Sequence, residues 1–160
     1  VTSWKEFKFL PRTKNAIARL SKEKFGIFIV SNQAGVGKKL FTQKALSLIT
    51  KNMLRAIKDS AGKITGVYYC THRKEENCSC RKPKTGMMEE ARKKYSVNLK
   101  KSFFIGDTIR DVATAKSAGC NSILVLSGKE KLSNRRSWEI KPDFIFKDLS
   151  EAAEFIINRK

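Results

Sequence analysis

The sequence lacks an apolar run of membrane length, and no secretory signal opens it. We therefore expect a cytoplasmic protein without a membrane partner, in a compartment where disulfides are scarce. Internal repeats, low-complexity runs and an obvious interdomain linker are also absent. The 160 residues, of which 41% are hydrophobic, suffice for one domain with a real core. We predict a single domain over residues 1–160 and a monomer.

Acidic residues are scarce as well. The chain has 15 Asp and Glu against 34 Lys and Arg, which gives a formal net charge of +19. Such an imbalance attracts polyanions, nucleic acid included. The basic residues are spread over the whole chain instead of forming one block, so nucleic acid is a weaker prediction than a small anionic ligand.

Histidine is rarer still, and the only one lies within a cluster of cysteines. The cluster consists of Cys70, His72, Cys78 and Cys80. A disulfide is the usual alternative, but Cys78 and Cys80 are too close in sequence to bond each other comfortably, and three thiols leave one unpaired. One nitrogen and three thiolates are the ligand set of a closed, tetrahedral structural zinc site. We therefore predict zinc at this cluster.

Short apolar runs alternate with helical patterns along the chain. Strands are predicted at residues 25–30, 64–69, 102–105, 123–126 and 144–146. Helices are predicted after Pro11, from Thr42 to before Gly62, at residues 85–95, up to Gly119, and at residues 149–157. This alternation is typical of an α/β, Rossmann-like parallel sheet with helices on both faces. Cys120, just before the fourth strand, is predicted to be a small buried residue.

Polar residues follow three of these strands, at the edge where parallel sheets bind ligands. The first strand leads into Ser31-Asn32-Gln33, and the third leads into Asp107. The cations Arg81 and Lys82 follow the second strand by way of residues 70–80, which we call the cysteine loop. The Ser31 hydroxyl and backbone amides can hold phosphoryl oxygens, and Lys82 can neutralise charge that develops during phosphoryl transfer. The pattern therefore predicts a phosphate site.

Two carboxylates near the third strand suggest a second metal. Asp107 is a hard oxygen ligand suited to Mg²⁺. Asp111, one helical turn further on, could complete the metal site or hold Lys82. The alternative for both is a favourable charge at a helix N-terminus, worth less than about 1 kcal/mol at an exposed site.

Residues 35–39 are only superficially similar to a nucleotide-binding loop. That motif needs a glycine five positions before Gly37, where Asn32 stands, and a Ser or Thr where Lys39 stands. We predict a flexible turn between a strand and a helix instead.

Three segments, in this order, resemble the haloacid dehalogenase (HAD) superfamily. They are Val30-Ser-Asn-Gln-Ala-Gly-Val-Gly37, the cysteine loop running into Arg81-Lys-Pro-Lys-Thr-Gly-Met87, and Phe104-Ile-Gly-Asp-Thr-Ile-Arg-Asp111. Within the superfamily the chain is similar to the branch that has a zinc loop and no cap domain, which includes heptose bisphosphate and histidinol-phosphate phosphatases.

The resemblance implies a Mg²⁺-dependent phosphomonoester hydrolase that works through an aspartyl-phosphate. It implies that Ser31 and Lys82 bind the phosphoryl group and that Asp107 binds Mg²⁺. It also implies that Asn32, Gln33 and Arg81 contact the substrate. The leading substrate class is a sugar phosphate such as D-glycero-D-manno-heptose 1,7-bisphosphate.

One part of the family pattern has no counterpart. The Asp-x-Asp-Gly-Thr motif, which supplies the nucleophile and the general acid/base, should precede Trp4, and residues 1–10 contain no aspartate. We interpret the chain as N-terminally incomplete and expect it to be inactive by itself. The alternatives are a histidinol-phosphate phosphatase, a polynucleotide 3′-phosphatase that would use the +19 charge, and a noncatalytic phosphate-binding pseudoenzyme.

Overall fold

The computed structural model describes residues 1–159 and divides the chain into two compact units, Val1–Arg81 and Lys82–Lys160. Both units alternate helices with parallel strands, which confirms the predicted α/β class. Among the described residues, every helix is too short or too polar to cross a membrane. The single domain over residues 1–160 stays a prediction.

The first unit is built around two parallel strands. Its elements are a 3₁₀ turn Trp4–Glu6, α1 Thr13–Lys22, β1 Phe28–Asn32, α2 Ala34–Gly37, α3 Gln43–Lys58, β2 Gly66–Cys70 and a 3₁₀ turn Lys74–Glu76. Strand β1 pairs with β2 from Phe28 opposite Gly66 to Asn32 opposite Cys70. The two strands therefore end side by side, and the loops that follow them leave from the same edge of the sheet.

Helix α3 begins and buries one face as the sequence pattern predicts. The Thr42 hydroxyl accepts a hydrogen bond from the Ala45 amide at 3.0 Å, so the predicted cap is present and satisfies one otherwise unpaired donor. The residues that α3 buries recur every three or four positions: Leu46, Ile49, Met53 and Ile57. This spacing places them on one face of the helix.

The second unit holds three parallel strands in the order β3-β4-β5. Its elements are α4 Gly86–Tyr95, a 3₁₀ turn Leu99–Lys101, β3 Phe103–Gly106, α5 Ile109–Ala118, β4 Asn121–Val125, a 3₁₀ helix Leu132–Ser137, β5 Phe144–Phe146 and α6 Leu149–Ile157. Part of its core packs Val112 of α5 against Leu124 of β4 and Trp138. Cys120 is buried, as predicted.

The ends of two helices in this unit follow from single residues. Gly119 ends α5 with φ 73°, the left-handed conformation that glycine adopts without a steric penalty. Asp148 begins α6 by accepting hydrogen bonds from the amides of Ser150 and Glu151 at 2.9 and 3.1 Å. The observed bounds of β5 and α6 agree with the predicted ranges 144–146 and 149–157.

Candidate active site

The four predicted zinc ligands lie together at the end of β2. Their ligand atoms, three sulfurs and the Nδ1 of His72, all lie within 4.8 Å of one another. The Cys78 sulfur is 3.5 Å from that of Cys70 and 3.4 Å from that of Cys80, and His72 Nδ1 is 3.2 Å from the Cys80 sulfur. A tetrahedron with Zn–S bonds of about 2.3 Å has edges of roughly 3.8 Å. The cluster therefore fits a zinc ion with little adjustment.

Backbone hydrogen bonds hold this cysteine loop against the turn that follows β1. The Gln33 amide donates to the Cys70 carbonyl at 2.7 Å, and the Gly37 amide donates to the Thr71 carbonyl at 3.1 Å. A side chain at position 37 would place its Cβ 2.5 Å from the Thr71 carbonyl oxygen. Residues 34–37 form one helical turn and not the flexible turn predicted from sequence. Gly37 therefore allows the turn after β1 to pack closely against the cysteine loop.

The ionisation of the cluster also suits a cation. Burial acts to raise the pKa of the Cys78 thiol, but hydrogen bonds from the thiols of Cys80 and Cys70 outweigh it and lower that pKa to about 7. Burial, together with the neighbouring thiols of Cys70 and Cys78, raises the pKa of Cys80 to about 12. One thiolate thus hinders ionisation of the next one. A bound Zn²⁺ balances several thiolates at once and displaces their protons.

The first group of predicted phosphate ligands lies in the same unit. Ser31 and Asn32 are the last two residues of β1, and the side-chain amide of Gln33 donates to the Ser31 hydroxyl oxygen at 3.1 Å. This hydrogen bond restricts the Ser31 side chain. Arg81, at the other end of the cysteine loop, donates from Nη1 to the His72 carbonyl at 3.3 Å. Arg81 is therefore tied to the cysteine loop, and its predicted contact with substrate stays a prediction.

The second group lies in the other unit and centres on an ion pair. Lys82 Nζ lies 2.6 Å from Asp111 Oδ1, with side chains that are 15% and 7% exposed. The other oxygen of Asp111 accepts the Thr108 hydroxyl at 2.7 Å and the Thr108 amide at 3.2 Å. Gly106 leaves room for this carboxylate, because a Cβ there would lie 2.2 Å from the Asp111 Cβ. Of the two roles predicted for Asp111, the structure shows the one that holds Lys82.

Asp107 follows β3 directly and is held by the loop after β4. Its Oδ2 accepts the Lys129 amide at 3.0 Å, and its carbonyl accepts the Glu130 amide, also at 3.0 Å. A Cβ at position 128 would lie 2.2 Å from Asp107 Oδ2, so only glycine allows this approach. A half-buried, oriented carboxylate at a strand end is a donor that suits Mg²⁺. The magnesium ligands themselves stay a prediction.

Sequence reasoning missed several residues that support these side chains. Gln33 was expected to contact substrate, but its bond to Ser31 was not foreseen. Thr108 and Asp111 form a reciprocal cap at the start of α5, and the spacing Thr-x-x-Asp was a signal that could have revealed it. The contact of Gly128 with Asp107 has no local signal, because the two residues are far apart in the chain.

Comparison with known proteins agrees with this arrangement. A family model described as HAD-hydrolase-like matches residues 79–152. A D-glycero-beta-D-manno-heptose-1,7-bisphosphate 7-phosphatase from Bordetella bronchiseptica is 31% identical over 157 residues, which cover 98% of this chain and 88% of the relative. The chain belongs to the HAD-like hydrolases, in the branch of the heptose bisphosphate phosphatases. Family membership confirms the resemblance drawn from the three motifs.

Other members of the family extend the comparison. A phosphatase of the same name from Neisseria meningitidis is 30% identical over 145 residues, covering 89% of this chain and 78% of the relative. The crystal structure of D,D-heptose 1,7-bisphosphate phosphatase from B. bronchiseptica, complexed with magnesium and phosphate, matches with a TM-score of 0.94 at 30% identity and covers 100% of this chain and 89% of that one. A D,D-heptose 1,7-bisphosphate phosphatase from Burkholderia thailandensis, 24% identical with a TM-score of 0.75, covers 96% of this chain and 89% of that one and supports the fold.

Proposed function

We propose that this chain carries the phosphate-binding and zinc-binding part of a cytoplasmic, magnesium-dependent phosphatase for a small phosphorylated sugar. The observation that carries the proposal is the four-ligand cysteine loop that runs directly into Arg81 and the ion-paired Lys82. The relatives from N. meningitidis and B. bronchiseptica, at 30% and 31% identity, are heptose bisphosphate phosphatases, so D-glycero-D-manno-heptose 1,7-bisphosphate is the leading substrate. Histidinol phosphate and nucleic-acid 3′-phosphates become comparison substrates.

The proposed roles follow from the chemistry of each side chain. The Ser31 hydroxyl, restricted by Gln33, holds a phosphoryl oxygen, and Asn32 and Arg81 contact the rest of the substrate. Lys82 neutralises negative charge as it develops on the phosphoryl group, and Asp111 holds the ammonium in place through the ion pair. A preorganised cation requires little rearrangement during the reaction, which is why such groups contribute strongly to rate.

Asp107 would hold the magnesium ion. When bound, Mg²⁺ neutralises phosphoryl oxygens and helps to align the reacting groups. The Lys129 amide, which donates to Asp107 Oδ2, fixes the direction of the carboxylate. The attacking carboxylate belongs to an Asp-x-Asp motif that these residues do not contain, so the proposed activity requires that motif in addition.

A phosphate-release assay tests this proposal on a chain that carries an Asp-x-Asp strand ahead of Val1. The substrates are heptose 1,7-bisphosphate, histidinol phosphate and a 3′-phosphorylated oligonucleotide, each with and without Mg²⁺. We expect the heptose bisphosphate to give the highest kcat/KM. Higher kcat/KM for either other substrate would contradict the substrate assignment.

The matched variants are Lys82→Ala and Lys84→Ala. Losing one preorganised charge should lower kcat by roughly 10²-fold for Lys82→Ala. Lys84 is exposed, so its replacement should change kcat little. Similar losses at both positions would show that Lys82 has no special role in the reaction.

A further inference from the structure

The loop between β4 and β5 carries five cations that lack an acidic partner among the described residues. We call residues 129–141 the basic loop. Its cations are Lys129, Lys131, Arg135, Arg136 and Lys141. The loop also contains Glu130 and Glu139, so its net charge is +3. Glu130 is engaged within the loop, since it accepts a hydrogen bond from the side-chain amide of Asn134 at 2.9 Å.

Three other cations of this unit have carboxylate partners. Lys82 pairs with Asp111, Arg92 with Glu89, and Lys116 with Asp143. The cations of the basic loop are all exposed and repel one another. Folding therefore gives no account of why they are gathered there, whereas an anionic ligand would.

The loop also forms an open concavity on the surface. Arg135, Arg136 and Lys141 line an open concavity of about 600 Å³, together with Leu132, Ser133 and Trp138. Trp138 is only 8% exposed and packs against Val112 and Leu124 of the core. The tryptophan thus anchors the loop, and the arginines on the preceding 3₁₀ helix extend from a fixed base.

The start of the basic loop lies at the ligand-binding edge of its own sheet. Strands β3 and β4 are parallel, so the loops that follow them leave from the same edge. The first residues of the basic loop are hydrogen-bonded to Asp107, which follows β3. The basic loop therefore begins at the edge that carries Asp107.

We propose that the basic loop is a binding surface for the phosphate backbone of nucleic acid. Exposed cations contribute little to binding one small anion, because water and salt screen each contact. Binding of a nucleic-acid strand to the same cations is more favourable, since each neutralised phosphate releases condensed counterions. No aromatic face of the loop is free for stacking, because Trp138 is buried. Binding therefore rests on phosphate contacts, which carry no sequence information, so we expect it to be independent of sequence.

The test measures binding of this chain to a labelled single strand and to a labelled duplex of equal length, by fluorescence anisotropy over a range of salt concentrations. The loop variant combines Arg135→Gln, Arg136→Gln and Lys141→Gln. Removing three phosphate contacts should reduce the slope of log affinity against log salt by about 2 on the single strand and by about 3 on the duplex.

The control variant removes the same charge elsewhere in the unit, through Lys93→Gln, Lys100→Gln and Lys101→Gln, which are all exposed. It should keep nearly the wild-type slope. Equal reductions in the two variants would overturn the proposal, because binding would then follow net charge alone. An unchanged slope in the loop variant, or wild-type binding to inorganic polyphosphate but to neither nucleic acid, would overturn it as well. Circular dichroism should show the same fold in both variants, since the replaced side chains lie on the surface.

Discussion

The four ligands of the cysteine loop leave no spare donor, so each is expected to be needed for zinc. Purified protein should contain about one equivalent of zinc, as a closed four-coordinate site requires. Cys78→Ser removes a central sulfur that lies within 3.5 Å of two others, and we expect it to lose most of the metal. Elemental analysis after dialysis against a weak chelator measures this.

Cys120→Ser is the matched control for that experiment. Cys120 is buried in the other unit, and burial raises the pKa of its thiol to about 11, which disfavours the thiolate that metal binding needs. This variant should keep its zinc. Equal zinc content in Cys78→Ser and wild type would show that the cluster is not the metal site.

The buried pair of Lys82 and Asp111 should contribute to stability as well as to phosphate binding. Lys82→Met leaves the Asp111 carboxylate, 7% exposed, without its cation, and breaking a buried pair in this way costs about 3 kcal/mol. Adding Asp111→Asn removes the uncompensated buried charge, so the double variant should regain part of the lost free energy of unfolding. Urea unfolding of the wild type, both single variants and the double variant gives the coupling energy. Additive losses would mean that the pair is not coupled.

The residues of the site differ in how far sequence could predict them. The clustering of the four candidate zinc ligands could be predicted because four donors of the right kind lie within eleven positions, so local spacing was enough. The pairing of Lys82 with Asp111 was one of two predicted alternatives, and only the fold could choose between them. Gly37 was assigned to a flexible turn because its contact with Thr71 depends on a strand pairing that the local sequence does not show.

At the scale of elements, one carboxylate joins the start of β4 to the approach to β5. Asp143 Oδ2 accepts the amide and the hydroxyl of Ser122 at 2.8 and 2.7 Å, and its other oxygen pairs with Lys116. Burial opposes ionisation of Asp143, but Lys116 and Ser122 outweigh it and lower the pKa from 3.8 to about 2. The stabilisation is therefore present above the unfolded-state pKa of 3.8 and is lost as the pH falls towards 2.

Asp143→Asn should reveal this pH dependence. The difference in free energy of unfolding between wild type and variant should be constant above pH 5 and should shrink steadily between about pH 4 and about pH 2. Denaturant unfolding across that range measures it. Glu139→Gln, at an exposed carboxylate that also lies between β4 and β5, should show no such trend. A pH-independent difference for Asp143→Asn would mean that its charge does not matter.

Element boundaries were predicted well where local signals are strong and less well where pairing decides them. Helix α3 begins after Thr42, as expected from its cap. Strand β1 was predicted at residues 25–30 but runs from Phe28 to Asn32. The Phe25 amide still donates to the Leu20 carbonyl in the turn that leaves α1, whereas polar Ser31 and Asn32 pair with β2. Apolarity alone therefore placed the strand too early.

For the whole molecule, the alternation of strands and helices predicted the α/β class, but it could not predict the grouping of the strands. The described residues form one ladder of two strands and another of three. Within these ladders β1 pairs only with β2, and β3 pairs only with β4. The choice of neighbour depends on contacts between distant segments, which a local pattern does not contain. Open strand edges of this kind can pair with further chain.

A polypeptide of these 160 residues alone should release no phosphate from heptose 1,7-bisphosphate, even with Mg²⁺. Asp107 is held by the loop after β4 and Asp111 is paired with Lys82, so neither carboxylate is placed as an attacking group. No Asp-x-Asp pair occurs anywhere in the sequence to supply one. Phosphate binding alone, at the proposed ligands, does not form the covalent intermediate without a nucleophile.

Fusion of an Asp-x-Asp-Gly-Thr strand ahead of Val1 should restore Mg²⁺-dependent phosphate release, because it supplies the attacking carboxylate. The control fusion replaces the first aspartate of that motif by asparagine, which keeps the added strand but removes the nucleophile, and it should stay inactive. Phosphate release by the 160 residues alone would require a different nucleophile. Equal activity in the two fusions would lead to the same conclusion, since the added strand would then act by completing the fold and not by attacking phosphorus.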